Sequence, residues 1–415
     1  MLDIQFIRDN PELVAKKSQQ KGYKVDIEQL LGFDKERREL LQQAEDLRRQ
    51  RNELKAQTKS QKPSEEQVAK GRQLRDKVAD LEHKLAAIDK EYEILLKAVP
   101  NLHLDEVPLG GEKDSVEISK FGEQTTGGAK DHLDYMTERG WLDFERGAKV
   151  AGTKFYFLKA EGAWLEEIIK QFVLNFVASK GFTYLTVPHL VNSRIAEGAG
   201  FAPKSSEESN EYFLEGEDLA LIGTAEAPLT GYHADEIIDE DKLPLLYVGY
   251  SPCYRREAGT YGKHTRGLFR VHQFNKVEMY AFTLPEKSAE MHENMRAIEE
   301  EIWQALDIPY RVVNIAAGDL GAPAVKKYDL EYWSKVDGAY RELTSCSNCT
   351  DFQARNLNIR VRRKDGKVEV LHTLNGTAAA LARSLVAIVE NYQTADGKLK
   401  IPKALQPFIA GKTEI

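Results

Sequence analysis

The chain has 415 residues, 42% of them hydrophobic and 30% charged. It is too long for one small domain and apolar enough for packed cores, which excludes collagen-like and wholly disordered readings. Fifty-eight Lys and Arg against 66 Asp and Glu give a formal charge of −8. At first sight this speaks against a nucleic-acid partner, because phosphate binding rests on clustered Lys and Arg.

No stretch approaches the roughly 18–20 uninterrupted apolar residues of a membrane span. The opening residues Met1 to Asn10 lack the basic start and apolar core of a signal peptide, so a cytoplasmic location without membrane contact is expected. Three cysteines, Cys253, Cys346 and Cys349, are too few and too odd in number for a disulfide framework.

Between about residues 30 and 99, two charged helical stretches flank a short break around Pro63. In the second stretch Leu74, Val78, Leu81, Leu85, Ile88, Tyr92 and Leu95 alternate steps of four and three, the a/d seam of a coiled coil. Leu40, Ala44, Leu47 and Leu54 keep the same rhythm in the first, with Arg51 in one seam position. Ser64, followed by Glu65, Glu66 and Gln67, reads as the N-cap and acidic first turn of the returning helix. The spacing predicts an antiparallel helical hairpin projecting on the order of 45 Å. Its distal half, residues 48 to 77, holds ten Lys/Arg against four acids, a tip of +6.

Pro100 ends the hairpin, and residues 101–130, with their Gly110-Gly111 and Gly127-Gly128 pairs, read as a linker. The domain plan expected is 1–100, this linker, and 131–415. A helix over 161–179 precedes an extended run at 182–188. Strand-like stretches recur at 243–250, 268–282, 309–315, 328–333, 338–343 and 358–362, and a last amphipathic helix is predicted over 377–392. Strands with few intervening helices suggest an α+β fold built on a mainly antiparallel sheet.

Two motifs are decoys. Gly411-Lys412-Thr413 resembles the end of a P-loop, but Gln406 holds the position of the first glycine. Cys346-Ser347-Asn348-Cys349 has the spacing of half a zinc site and lacks a second close pair, so no structural zinc is expected. The informative region runs from Tyr254-Arg255-Arg256-Glu257, through a loop bearing Gly259, Gly262 and Gly267, to Arg270-Val271-His272-Gln273-Phe274-Asn275-Lys276-Val277-Glu278. On a strand, Arg270, His272, Phe274, Lys276 and Glu278 share one face. Arginines can clamp a polyphosphate, an aromatic ring can cover a base, and a carboxylate can hold an ammonium group, a set that fits ATP plus an amino compound.

This region resembles motif 2 of class II aminoacyl-tRNA synthetases and, within them, the bacterial-type seryl-tRNA synthetase family. Gly181-Phe182 to Pro188 with Val191-Asn192 is similar to motif 1, and Leu374-Asn375-Gly376-Thr377 to Arg383 to motif 3. Thr224-Ala225-Glu226, Glu342 to Asn348 and Asp351 to Arg355 resemble serine-enzyme signatures. The resemblance covers nearly the whole chain.

It implies a class II antiparallel sheet of six or seven strands flanked by helices, behind an N-terminal coiled-coil arm. It implies ATP and Mg²⁺ as cofactors, L-serine as substrate, and transfer to the 3′ end of tRNA(Ser), with tRNA(Sec) as a further substrate where that tRNA exists. ATP would be bound by Arg255, Arg256, Glu257, Arg270, Phe274, Glu342, Leu343, Thr344, Ser345 and Arg383. Arg255 would meet the α-phosphate, Glu257 the adenine amino group and Arg270 the γ-phosphate, with Phe274 and Arg383 sandwiching the base. Glu342 and Ser345 would hold Mg²⁺. Thr224, Ala225, Glu226, Glu278 and Thr377 would form the serine pocket. Arg48, Arg49, Arg51, Lys55, Arg72 and Arg75 would grip tRNA, and the motif 1 likeness implies a homodimer. Arg255, Arg270 and Arg383 would be catalytic, because attack of the serine carboxylate on the α-phosphorus puts charge on phosphoryl oxygens. Excluding threonine rests on sterics around one methyl, worth about 1–3 kcal/mol, so misreading of threonine is the expected weakness.

Two other readings compete. An amino-acid ligase acting on a carrier protein would not need the hairpin, and a coiled-coil scaffold with a degenerate core would not keep Arg255, Glu257, Arg270, Glu278, Glu342 and Arg383 together. The charge of −8 is itself an average, since removing the +6 tip leaves 48 basic and 62 acidic residues, a remainder of −14.

Overall fold

The computed structural model describes residues 1–57, 64–201, 210–257 and 266–415. The chain divides into two compact units, Met1–Leu102 and His103–Ile415.

The first unit is helical: α1 (Ile4–Asp9), α2 (Pro11–Gln20), α3 (Ile27–Gln57) and α4 (Glu65–Ala98). Ion pairs Arg37–Asp89 and Arg48–Glu82 climb α3 while descending α4, so the two helices are antiparallel. The heptad seam is the buried line, with Ala44 on α3 and Leu74, Val78 and Tyr92 on α4. Leu96 is buried more deeply than Leu95 at the base, because there Ile7, Val14, Ile27 and Leu30 join α4 in one cluster. Ser64 caps α4 as its sequence suggests, accepting from the Gln67 amide at 3.2 Å while the Gln67 side chain accepts from the Ser64 amide at 2.9 Å, the reciprocal capping box. The break between the helices lies outside the described residues.

The second unit is built on one eight-stranded sheet. Its strands are β1 (Val116–Phe121), β2 (Thr183–Thr186), β3 (Leu245–Tyr254), β4 (Gln273–Thr283), β5 (Tyr310–Asn314), β6 (Lys326–Ser334), β7 (Ala339–Thr350) and β8 (His372–Ala380). Their order is β1-β5-β6-β7-β8-β4-β3-β2, antiparallel except for the edge pair of β2 with β3.

Helices α7 (Ala160–Ser179), α10 (Ser288–Ala305) and α12 (Leu381–Tyr392) cover one face. On α7, Leu165, Ile168, Ile169, Phe172, Val173 and Val177 recur at helical spacing and are buried there. The odd residues of β4, Val277, Met279 and Ala281, point into this layer. Its even residues Tyr280 and Phe282 point to a smaller layer containing α8 (Ser193–Ala199), α9 (Glu226–Gly231) and α11 (Phe352–Asn356). Two further helices, α5 (His132–Glu138) and α6 (Phe144–Ala151), precede α7.

Four expectations need correction. The sheet has eight strands rather than six or seven, because the stretch read as a linker contributes β1, whose backbone pairs with β5 from Val116 opposite Asn314 to Phe121 opposite Tyr310. The last helix begins at Leu381, not Thr377: Thr377 to Ala380 suit a helix by propensity, but they close β8 by pairing with β4, and tertiary pairing overrides that preference. The strand predicted from residue 268 starts at Gln273, since Gly267–Phe269 form a short 3-10 turn. Residues 360–362 belong to a separate three-stranded sheet with Val368–Val370 and Ile237–Asp239.

Candidate active site

The polar face of β4 forms the floor of the site. Phe274, Lys276 and Glu278 lie opposite Cys253, Ser251 and Gly249 of β3, and directly opposed residues project on the same side of a sheet. Lys276 Nζ is 2.6 Å from Glu278 Oε2, and both residues are buried. Thr377 completes the group, its hydroxyl donating to Glu278 Oε2 at 3.4 Å and lying 3.5 Å from Lys276 Nζ.

Glu226 opens α9 across from this group. Its Oε1 accepts from Gln353 Nε2 and from Asn375 Nδ2, each at 2.8 Å. Burial and the charge of Glu278 push its carboxyl up to about 7, against the pull of Lys276 and the Gln353 bond. Gln353 is fully buried and uses every polar atom: its Oε1 accepts from Tyr280 and Thr373, and its Nε2 also donates to the Ala199 carbonyl. Thr224 accepts the Glu226 amide at 3.2 Å. Ala225 is fully buried beneath Gly249, where an added Cβ would come within 3.1 Å of it, so only its backbone borders the site.

The second cluster sits at the mouth of the motif 2 region. The Arg255 guanidinium lies over the Phe274 ring, 5.3 Å from its centroid, and donates to the Gly223 carbonyl at 3.3 Å. Arg270 donates to Glu257, which holds a left-handed φ of 50°. Arg256 is exposed, its amide donating to the Asn210 carbonyl. The residues expected at Gly259 and Gly262 lie outside the described residues. Arg270 and His272 precede β4 and are not part of its alternating face; His272 Nδ1 instead meets the Arg255 carbonyl at 3.0 Å.

Arg383, in the first turn of α12, reaches Glu342 Oε1 at 3.1 Å and lies over the Phe269 ring, 4.8 Å from its centroid. The two groups expected to sandwich a base, Phe274 and Arg383, thus each have their own stacking partner. The Glu342 side chain stays 45% exposed; the protein packed around it opposes ionisation, but Arg383 and Lys327 outweigh that and hold the carboxyl at about 2. Glu342 and Ser345 are three residues apart and would face opposite sides of a regular strand. A bulge resets the alternation: Glu342 pairs with Glu331 and Thr344 with Leu330, leaving Leu343 as the extra residue.

At the same bulge Leu343 is buried in the apolar layer and Thr344 donates to Glu299 on α10 at 2.8 Å, so their side chains face away from the cleft and only their backbone borders it. Of the cysteine pair, Cys346 Sγ contacts the His292 carbonyl and Cys349 Sγ accepts from Asn375. Gln353 and Asn375 lie within the recognised motifs, where the sequence assigns them no role. The signal that could have found them is that a carboxylate drawn out of water, as Glu226 is, requires donors from its neighbours.

On the arm, Arg48, Arg49, Arg51, Lys55, Arg72 and Arg75 are all exposed. Arg48, Arg49 and Arg75 make exposed ion pairs with Glu82, Asp46 and Asp76, contacts weak enough to exchange for phosphates.

Residues 1–103 match the model of the seryl-tRNA synthetase N-terminal domain, and residues 212–392 that of the tRNA synthetase class II core domain (G, H, P, S and T). A serine–tRNA ligase of Dictyoglomus turgidum is 45% identical over 100% of this chain and 99% of its own length. That of Treponema denticola is 43% identical over 98% of each. The crystal structure of seryl-tRNA synthetase from Pyrococcus horikoshii complexed with ATP superposes with a TM-score of 0.90 at 41% identity, covering 100% of this chain and 99% of that one. Sequence, motif geometry and fold agree: the chain belongs to the seryl-tRNA synthetase family of class II aminoacyl-tRNA synthetases.

Proposed function

We propose that this chain activates L-serine with ATP and transfers the seryl group to the 3′ end of tRNA(Ser), and to tRNA(Sec) where one exists. The observation that carries the reading is the pair of adjoining clusters. One is an acidic, donor-lined pocket of Glu226, Glu278 and Thr377; the other is an arginine and aromatic cleft of Arg255, Phe269, Arg270, Phe274 and Arg383.

The serine ammonium is held by the carboxylates of Glu226 and Glu278, with Thr377 beside the substrate hydroxyl. Arg255 and Arg270 clamp the triphosphate, Arg255 at the α-phosphate and Arg270 at the far end. They stabilise charge on the phosphoryl oxygens as the serine carboxylate attacks, and no general base is needed because the nucleophile is already ionised. Positioning supplies the remainder. Phe274 and Arg383 flank the base, and Glu257 accepts from its amino group.

Glu342, ionised and open to solvent, and the Ser345 hydroxyl on the same face offer the hard oxygen ligands that suit Mg²⁺. When bound there, the ion neutralises charge on the phosphates. The exposed basic tip of α3 and α4 reads tRNA by backbone and shape. A homodimer forms through the motif 1 region, whose edge strand β2 exposes Tyr184, and sedimentation measures it. No helix among the described residues is long and apolar enough to cross a membrane, in keeping with a cytoplasmic enzyme.

Radiolabelled serine offered with tRNA or with a purified carrier protein tests the activity: label on tRNA supports it, and label on the carrier alone overturns it. Charge reversal of Arg49, Arg51 and Arg72 then tests the arm. Aminoacylation is expected to fall while serine-dependent ATP–pyrophosphate exchange persists; equal loss of both removes the arm from tRNA binding.

A further inference from the structure

We propose that His132 is a positioning residue for the nucleotide cleft, a buried tether that ties the Gly267–Arg270 turn to α12. The proposal rests on the ATP-binding reading above.

His132, at the start of α5, lies 4% exposed. Its Nδ1 is 3.1 Å from Glu390 Oε1, and its Nε2 is 3.2 Å from the Leu268 amide nitrogen. An amide N–H can only donate, so Nε2 must be the unprotonated acceptor and Nδ1 the donor to Glu390. The imidazole thus has one defined tautomer, with both nitrogens used inside the protein. Asp131, His132 and Glu390 are also the one cluster of metal-ligating types among the described residues, but the ring nitrogen facing both carboxylates is Nδ1, and the Leu268 bond at Nε2 leaves the proton on Nδ1, so it donates rather than ligates.

The far end of the tether is rigid. Glu390 is buried, and its Oε2 accepts from Ser334 at 2.7 Å and from Tyr332 at 3.2 Å on β6. Seven residues earlier, two turns back on the same face of α12, stands Arg383. The near end is a turn that carries two cleft side chains: Phe269, beneath the Arg383 guanidinium, and Arg270, paired with Glu257.

Backbone and side chain meet so closely that Gly267 is required. It holds φ at +60°, and a Cβ there would lie 2.3 Å from His132 Nε2. A second strut from α5 reaches the same turn, Asp134 accepting from Arg266 at 2.7 Å. One imidazole therefore fixes Phe269 and Arg270 relative to Arg383, with no atom in the cleft.

Two substitutions separate its two bonds. His132→Asn puts an amide near Nδ1, able to serve Glu390 but too short for Leu268. His132→Gln reaches the Nε2 position and can accept from Leu268. Serine-dependent ATP–pyrophosphate exchange gives KM for ATP, KM for serine and kcat, and hydrogen exchange of the peptide spanning 266–270 reads the turn without activity.

For His132→Asn, KM for ATP is expected to rise about tenfold, the equivalent of one hydrogen bond. KM for serine should change less than about twofold, and exchange at 266–270 should accelerate; His132→Gln should recover most of both. An unchanged KM for ATP with unchanged hydrogen exchange overturns the proposal. So does an equal rise in both KM values with a general loss of protection, or equal impairment in both variants. If the wild-type chain shows no serine-dependent exchange, the ATP reading fails, while the 266–270 protection still decides whether the tether exists.

Discussion

Glu226 sits where acid–base equilibrium and substrate binding meet. Its carboxyl lies at about 7 rather than the ordinary 4.5 because burial and Glu278 disfavour a second negative charge. If the ionised form holds the serine ammonium, the apparent KM for serine follows 1 + 10^(7 − pH), so moving from about pH 8 to about pH 5.5 raises it roughly 30-fold. Folding responds in the opposite sense. The folded chain keeps a proton that the unfolded chain releases above 4.5. Stability from this group is therefore full below that value and is lost as pH rises through about 7, by at most about 3 kcal/mol. Glu226→Gln leaves an oxygen to accept from Gln353 and Asn375 but removes the titration, so both pH dependences should flatten while KM for serine rises. The assay is serine-dependent ATP–pyrophosphate exchange at saturating ATP across this range, paired with urea unfolding at each pH. A flat KM in the wild type, or the same inflection in Glu226→Gln, would refute the argument.

Other changes act on neighbouring contacts. Lys276→Met leaves the buried Glu278 carboxylate without its cation, and urea unfolding should show a loss of about 3–5 kcal/mol; the double change with Glu278→Gln should restore most of it. Gln353→Leu strands the Tyr280 and Thr373 hydroxyls and the Ala199 carbonyl. This should cost about 2–4 kcal/mol and raise KM for serine through Glu226 while sparing KM for ATP. Glu342→Gln should raise the Mg²⁺ needed for half-maximal exchange by about 10–100-fold, read by titrating the metal at fixed ATP.

The hairpin was legible because its signals are local: a heptad seam needs only the chain's own periodicity, and Ser64 with Gln67 forms a complete cap within four residues. The face of β4 was legible at Phe274, Lys276 and Glu278 for the same reason. Sequence patterns failed where distant pairing decides. An alanine run became the end of a central strand because β4 pairs with it. Edge strand β1 exists because β5 offers it a partner, and Arg270 left the strand because Gly267 turns the chain against His132. Alternation also cannot reveal a bulge, so Glu342 and Ser345 could be joined by family likeness but not by counting, and nothing in the pattern shows that the Leu343 and Thr344 side chains face the core.

The bulges have an evolutionary consequence. Leu343 in β7 and Ala378 in β8 are each an unmatched residue in a register that would otherwise be continuous. Replacing either with another residue of similar size alters packing by a small amount. Deleting either shifts the parity of its strand, turning Glu342 or Thr377 toward the helices and an apolar side chain toward substrate. Along these two strands, then, chain length is under tighter constraint than residue identity, and variants should divide sharply between tolerated substitutions and inactive single-residue deletions.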